Sequence, residues 1–207
     1  MATPPALPDP GYVTWTELHK DGLRPIQEQT VPLYQRTESF RVYASNVIPG
    51  MLQTAGYATG LLRSITKFQG TPDDVAEAAA ARLARSRVVH DEHRHFSFLI
   101  EEAVLSYPVC DDTDLREQLE HLLTFVERQN VALGVIPRRA PRTVWPLEAF
   151  YAFDDERVDV ETLTAEINVT DAAEVGAYLR AFAALSLSAV RGAAAEALIR
   201  SALAPLD

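Results

Sequence analysis

Apolar residues recur at helical spacing in the first half of the chain. This pattern predicts three helices, over 26–43, 51–65 and 75–89. The first is expected to break near Pro32, because proline removes a backbone hydrogen bond of a helix. The third is expected to be capped by Thr71, with Asp73 and Asp74 at its positive end.

The spacing changes to alternation in the middle of the chain. Phe96, Phe98 and Ile100 fall on one face of a strand predicted over 96–105. Three shorter strands are predicted over 131–135, 148–153 and 158–162. Asp154 and Asp155 separate the last two, which is typical of a hairpin with an acidic pair at its turn.

Helices return between and after these strands. One helix capped by Thr113 is predicted between them, and two more at the end of the chain, the first capped by Thr170 or Asp171. Helices that come first and last around a run of strands indicate an α+β fold, predominantly helical, with one small, mostly antiparallel sheet of about four strands. Residues 1–14 are expected to form a flexible proline-rich arm, and 15–207 a single domain.

Charge and composition argue against two classes of protein, those that bind nucleic acid directly and those that cross a membrane. The chain has 207 residues, with 19 Lys and Arg against 29 Asp and Glu, and a formal net charge of -10. This charge repels a phosphate backbone, and the arginine clusters at 82–87 and 138–142 lack interleaved aromatic residues, so direct nucleic-acid binding is not expected. One cysteine, no leader of the secretory type and no long apolar run predict a cytoplasmic protein that does not cross a membrane.

The densest polar cluster is 90–95, which contains three histidines. Metal binding is the sharper interpretation, because His90 and His93 share a helix face and His95 follows. However, no second group of Cys or His completes a tetrahedral set, and histidines are common at helix ends. No metal and no cofactor are therefore expected.

Two adjacent carboxylates, Glu101 and Glu102, lie in an apolar strand. Their side chains must point to opposite faces, so one is directed inward or into a cleft. An inward carboxylate holds its proton more tightly, as a general acid or a cation site requires. The alternative is a salt bridge to an arginine of the third helix. Both glutamates are candidate catalytic residues.

A second polar group follows the turn at Pro49 and Gly50. The rigid proline and the permissive glycine can direct Gln53 and Thr54 into a cavity. Thr54 can equally cap the following helix. The sequence contains no glycine-rich phosphate loop and no nucleophile elbow, so the residues alone do not name a reaction.

The same turn carries a family resemblance. Residues 47–54, VIPGMLQT, followed by Tyr57 and Ala58, are similar to a VPGLLQT..YA signature in the C-terminal effector domain of actinomycete XRE-type, antitoxin-like (WhiJ-like) transcriptional regulators. Other segments resemble the family in the same order, namely the arginines of 82–87, LIEEAVL at 99–105 and NVALGVIP at 130–137. Family members carry a helix-turn-helix ahead of this domain. It is absent here, so an excised domain or a stand-alone relative is expected.

The resemblance implies a regulatory domain without its own DNA-binding element, which binds a small molecule or a small basic partner protein. A cleft between the helices and the sheet is expected to hold that molecule. The candidate ligand-binding residues are Gln53, Thr54, Tyr57, Arg82, Arg85 and Trp145.

Two alternatives stay open. The first is an enzyme of natural product metabolism that uses the same cleft, with Glu101 or Glu102 as acid or base and Arg85 holding an anion. The second is a scaffold that pairs with a basic partner through its acidic surface. A homodimer is compatible with each of these hypotheses.

Overall fold

The fold is taken from a computed structural model, which describes residues 11–206. Its helices are α1 Trp15–Leu18, α2 Arg24–Gln29, α3 Val31–Arg36, α4 Ala55–Gln69, α5 Val75–Ser86, α6 Asp112–Leu123, α7 Ala172–Ser186 and α8 Ala193–Leu203. Its strands are β1 Tyr12–Thr14, β2 Ser39–Ala44, β3 His95–Glu101, β4 Val131–Ile136, β5 Phe150–Phe153, β6 Arg157–Glu161, β7 Ala165–Val169 and β8 Val190–Arg191. Short 3-10 turns span Gly50–Leu52, Arg87–His90, Glu102–Ser106 and Ala204–Leu206.

Within residues 11–206 the strands form one mixed sheet of eight, in the order β1-β7-β6-β5-β2-β3-β4-β8. β2, β3 and β4 are parallel neighbours, and every other pair is antiparallel. The fold is α+β, but the predicted small, mostly antiparallel sheet of about four strands is wrong. Residues 1–10 of the predicted arm lie outside the described residues, and Tyr12–Thr14 form β1 against β7.

The central strand β2 lies inside a stretch that the sequence assigned to a helix. Phe40 and Val42 point to one face of the sheet and pack in the larger core, whereas Tyr43 packs on the opposite face. Six residues are too few for the spacing of their apolar positions to distinguish a strand from the end of a helix. The helix predicted over 26–43 therefore divides into α2, α3 and β2.

Elements with a strong local signal match the prediction. The hairpin of β5 and β6 is confirmed, with Asp154 at its turn in a left-handed conformation, φ 51°. β4 is confirmed, and so is α7, whose first turn is capped by the carboxylate of Asp171. The cap of α6 is Asp111, not Thr113. The strand predicted over 96–105 ends at Glu101, where a 3-10 turn begins.

Helices cover both faces of the sheet. The larger core lies against α3, α6 and α8 and contains residues such as Phe96, Leu119 and Ile199. The opposite face packs on α7 through Val175, Phe182 and Leu185. None of the helices within 11–206 is long and apolar enough to cross a bilayer.

A third, smaller core lies between α2, α4 and α5 and does not include the sheet. Leu23, Leu62 and Ala78 are fully buried there. Because these helices use much of their apolar surface on one another, they turn both polar and apolar side chains toward β5, β6 and β7. This arrangement leaves the space described below.

One carboxylate joins the first and last helices of that layer. Asp74, the residue before α5, accepts hydrogen bonds from the backbone N–H groups of Leu23 and Arg24, each at 2.8 Å. Gly22 lies beside it with φ 101°, and a Cβ there would be 2.4 Å from Asp74 Oδ2. The N-cap residue of α5 is Asp74, not the predicted Thr71. The Asp74 carboxylate caps the start of α2 and not its own helix.

We expect Asp74→Ala to lower the free energy of unfolding by roughly 1–3 kcal/mol, because two backbone donors, one partly buried and one exposed, lose a charged acceptor. Urea denaturation of this variant beside Asp73→Ala measures the effect. Asp73 is exposed and accepts one long hydrogen bond, from Val75 at 3.4 Å. Equal losses in the two variants would contradict the role assigned to Asp74.

Candidate ligand-binding cleft

A hollow lies between this helical layer and the sheet. It has a volume of about 530 Å³ and is called the central cleft here. Its lining includes Gln27, Gln53, Arg82, Arg85, Tyr151 and Glu166. One wall comes from α1, α2, α4 and α5, and the other from β5, β6 and β7.

The sheet wall follows from strand alternation. On β6, Val158 and Val160 pack against α7, so Asp159 and Glu161 point to the opposite face, where the cleft lies. The antiparallel register places Tyr151 opposite Asp159 and Glu166 opposite Glu161. Two rows of cross-strand neighbours therefore present a phenol and three carboxylates to the cleft.

The helix wall carries two arginines one turn apart on α5. Arg82 donates from Nε to Gln27 Oε1 at 3.2 Å and from a terminal nitrogen to Gln53 Oε1 at 3.1 Å. Gln53 is itself fixed, because its amide donates to the carbonyl of Ile48 at 2.7 Å. Arg82 is thus oriented by neutral oxygens that are almost completely buried.

The second arginine, Arg85, is held in a similar way. It donates to Thr30 Oγ1 at 2.9 Å, and its guanidinium carbon lies 4.6 Å from the centre of the Tyr34 ring. A cation over an aromatic face is stabilised electrostatically without being neutralised.

Neither guanidinium forms an ion pair with any residue of 11–206. Burial, and then the neighbouring charge of Arg85, lower the pKa of Arg82 from its ordinary value. An arginine nevertheless stays charged in proteins. Two adjacent positive charges therefore border the cleft, and their free N–H groups can bind a carboxylate, a phosphate or another oxyanion.

The acidic side of the cleft has an unusual glutamate. Burial, followed by the nearby charges of Asp159 and Glu161, raises the pKa of Glu166 to about 7. Asp159 is paired with Arg157, whose Nε lies 2.5 Å from its Oδ1. Burial still raises the pKa of Asp159, although Arg157 opposes that effect.

Apolar side chains border the outer part of the cleft. Phe68 and Leu163 line it and are 72% and 75% exposed. Trp15 stacks on His19 at 4.9 Å and donates from its indole nitrogen to the carbonyl of Thr162 at 2.8 Å. His19 in turn contacts Gln69 Oε1 at 2.6 Å, so the N-terminal segment forms part of the wall.

Three of the six predicted ligand-binding residues, Gln53, Arg82 and Arg85, meet in this cleft. The other three lie elsewhere. Thr54 caps α4 by accepting from Tyr57 N, as the alternative interpretation has it. The Tyr57 side chain is fully buried, and its hydroxyl accepts from Ile48 N at 3.2 Å. Trp145 is 73% exposed, outside the cleft.

The two candidate catalytic glutamates also lie away from the cleft. Glu101 accepts from the Tyr43 hydroxyl at 2.8 Å and forms a two-pronged ion pair with Arg142, at 2.8 and 2.5 Å. Its partner comes from the loop after β4 and not from the third predicted helix. Glu102 accepts from the backbone of Arg138 at 2.8 Å. Both carboxylates hold that loop.

Gln27, Glu161 and Glu166 line the cleft but were not among the residues predicted from the sequence. The sequence did contain a signal for Glu161, because charged residues alternate with valines in RVDVE at Arg157–Glu161. That alternation indicates a strand with one polar face. In the same described part of the chain, no three His, Cys, Asp or Glu side chains are arranged to hold a metal ion.

Glu166 gives the folded protein a measurable pH dependence. Its pKa of about 7 lies above the ordinary 4.5, so folding takes up a proton at this group. Its contribution to stability is therefore complete below about pH 4.5 and is lost as the pH rises through about 7.

We expect Glu166→Gln to raise the melting temperature over the wild type by roughly 2–4 °C at about pH 8 and to change it little at about pH 5. At about pH 8 the substitution removes a carboxylate charge that destabilises the fold. At about pH 5 the carboxyl is already protonated, so the substitution removes no charge. Melting curves across this range measure the effect, with the exposed Glu156→Gln as the matched control. A gain of the same size at both pH values would refute the assigned cause.

Comparison with known proteins gives a family and several distant structural similarities, of which two are described. No curated protein matches the chain. NucT from Helicobacter pylori is similar with a TM-score of 0.46 and 8% identity, over 87% of this chain and 96% of that one. TrmBL2, described as an archaeal chromatin protein with a novel mode of DNA binding, has a TM-score of 0.43 and 9% identity, over 90% of this chain and 55% of its own. The family model of the domain of unknown function DUF5753 matches residues 27–201, and the chain belongs to that family.

Proposed function

We propose that this chain is a regulatory domain that binds a small anionic molecule in the central cleft, in the manner expected of the effector domain of an XRE-type, antitoxin-like (WhiJ-like) regulator. One observation carries the proposal. Arg82 and Arg85 border the same cavity, and neither is neutralised by a carboxylate of residues 11–206.

The size of the hollow supports a small molecule as the occupant. Its volume of about 530 Å³ lies within the roughly 300–1,000 Å³ of typical small-molecule sites. Such sites combine apolar walls with a few fixed polar groups. Phe153, Ile65 and Leu61 supply apolar surface here, and the arginines supply the polar anchor.

The arginines are oriented before any ligand arrives. Gln27 and Gln53 use two of the donor groups of Arg82, and the amide of Gln53 is anchored on backbone. A side chain that is already ordered loses little further entropy on binding, so more of the interaction energy appears as affinity. The remaining donors of the guanidinium groups are available to an anion.

The position of the cleft suits regulation. Its walls come from segments that are far apart in the chain, and they include the N-terminal segment through Trp15 and His19. A molecule bound between them contacts the first described elements as well as the sheet. Ligand occupancy can therefore change how firmly α1 is held, which is the kind of differential contact that a regulatory switch requires.

The enzyme hypothesis receives no comparable support. Its candidate acid and base, Glu101 and Glu102, are engaged by Arg142 and Arg138 outside the cleft. The net charge of -10 also disfavours a polyanion such as nucleic acid as the partner of this domain. A small anion, in contrast, meets the local positive charge of α5.

Trp15 provides a direct assay. The chain has two tryptophans, Trp15 at the cleft and Trp145 outside it, so Trp145→Phe leaves a single reporter at the site. We expect citrate and inorganic phosphate to change Trp15 fluorescence in this background with saturation. Adding Arg82→Gln and Arg85→Gln should weaken binding by about tenfold or more, because two charged hydrogen-bonding groups are lost.

The matched control is Arg87→Gln, which removes an exposed arginine just beyond α5 that does not line the cleft. It should bind as the parent does, and sodium chloride at equal ionic strength should produce no saturable change. Circular dichroism verifies that the double variant is folded. A response that is identical in the parent and in the folded double variant would disprove the proposed anion site.

A further inference from the structure

We propose that the natural ligand of the central cleft is a zwitterion, with its anionic end against Arg82 and Arg85 and its cationic end against Glu161 and Glu166. This inference rests on the proposed function and specifies the class of ligand. A molecule with a carboxylate or phosphate at one end and an amine at the other has this chemistry.

The two glutamates are available to a ligand. Of the three carboxylates on the sheet wall, Asp159 is occupied by Arg157 through Nε at 2.5 Å and a second nitrogen at 3.1 Å. Glu161 and Glu166 form no ion pair and no side-chain hydrogen bond with residues 11–206. Both of them line the cavity.

Their placement is unfavourable without a cation. Glu161 and Glu166 are directly opposite each other on neighbouring antiparallel strands, where two like charges destabilise a sheet. The burial of Glu166 adds to that cost. A positive group between the two carboxylates would remove the repulsion and replace the lost hydration of Glu166.

The cleft separates these carboxylates from the arginines. Glu161 acts electrostatically on Arg82, and Arg85 acts on Glu166, so the opposite walls are within range of one another. Even so, no ion pair crosses the cleft from either arginine. A simple anion entering the space is attracted to one wall and repelled by the other. A molecule with both charges satisfies the two walls together.

The border of the cleft adds one more requirement. Phe68, Leu163 and Ile65 lie along it, and the first two are largely exposed. Apolar surface of this kind favours a hydrocarbon part in the same ligand. An ω-amino acid, with its two charges joined by methylene groups, is the simplest probe with all three features.

The test compares three probes that share a six-carbon chain, namely 6-aminohexanoate, adipate and 1,6-diaminohexane. Binding is followed through Trp15 fluorescence in the Trp145→Phe background, and shorter and longer ω-amino acids from β-alanine to 8-aminooctanoate establish the best length. We expect the best ω-amino acid to bind about tenfold or more tightly than the diacid and the diamine of its own length.

Substitution of the acidic pair identifies the second subsite. Glu161→Gln with Glu166→Gln should remove the preference for the ω-amino acid and improve binding of the diacid, because the repulsive wall becomes neutral. Glu156→Gln, an exposed acid at the β5–β6 turn, is the matched control and should keep the preference. Binding of the ω-amino acid by the parent should also weaken below about pH 7, where Glu166 takes up a proton.

The outcomes separate this inference from the proposed function. If the diacid equals the ω-amino acid, or if only citrate and phosphate bind, and binding still depends on Arg82 and Arg85, the zwitterion inference is overturned and the anion site stands. If the diamine binds best and the arginine substitutions have no effect, both are overturned. If none of the probes binds, including citrate and phosphate, both are overturned as well.

Discussion

The central constraint on this molecule is that one face of its sheet changes character between β2 and β6. Across β2, β3 and β4 that face is apolar and packs on α3, α6 and α8. On β6 and β7 the same face carries Asp159, Glu161 and Glu166, which no apolar helix can cover without burying charge. The helices α2, α4 and α5 therefore pack on one another and stand off from the sheet, and the central cleft is the space that remains.

Two arginines of α5, Arg82 and Arg85, border this space. Each stem packs along the helical layer while its guanidinium reaches polar partners. Arg82 and Arg85 obtain those partners from Gln27, Gln53 and Thr30, and not from the acids across the cleft. Closure of the cleft by direct ion pairs would need the two layers to approach, and the separate small core at Leu62 and Ala78 holds the helical layer where it is.

Sequence patterns predicted those parts of the structure that depend on neighbours in the chain. The hairpin at Asp154 and the cap at Asp171 are local, and both were found from a few residues. β2 was missed because its six residues are too few for their apolar spacing to distinguish a strand from a helix. β1 and β7 were not predicted, because their pairing joins Tyr12 to Ile167, a contact with no local signal in the sequence.

The same distinction applies to the site. Arg82 and Arg85 were predicted because they belong to the arginine cluster of 82–87 that the family resemblance includes, and Gln53 because a rigid turn precedes it. Thr54 follows Gln53 but caps α4, and Tyr57, in the first turn of α4, is buried in the core. Glu166 could not be found this way, because its burial depends on β6 and on helices that are distant in sequence. Which residues line the cleft is determined by side-chain direction and by long-range strand pairing. Both depend on the whole fold and not on a local pattern in the sequence.

β6 shows why the cleft and the core cannot be treated separately. Val158 and Val160 pack against α7, and Asp159 and Glu161 face the cleft from the same five residues. A slip of one residue in register would exchange valines for carboxylates on both faces at once. The β5–β6 turn at Asp154 prevents this, because its carboxylate accepts from Ser39 N at 2.8 Å and so ties the hairpin to β2. The acids are thus positioned by the packing of the opposite face, which makes the charged wall of the cleft as well defined as the apolar core behind it.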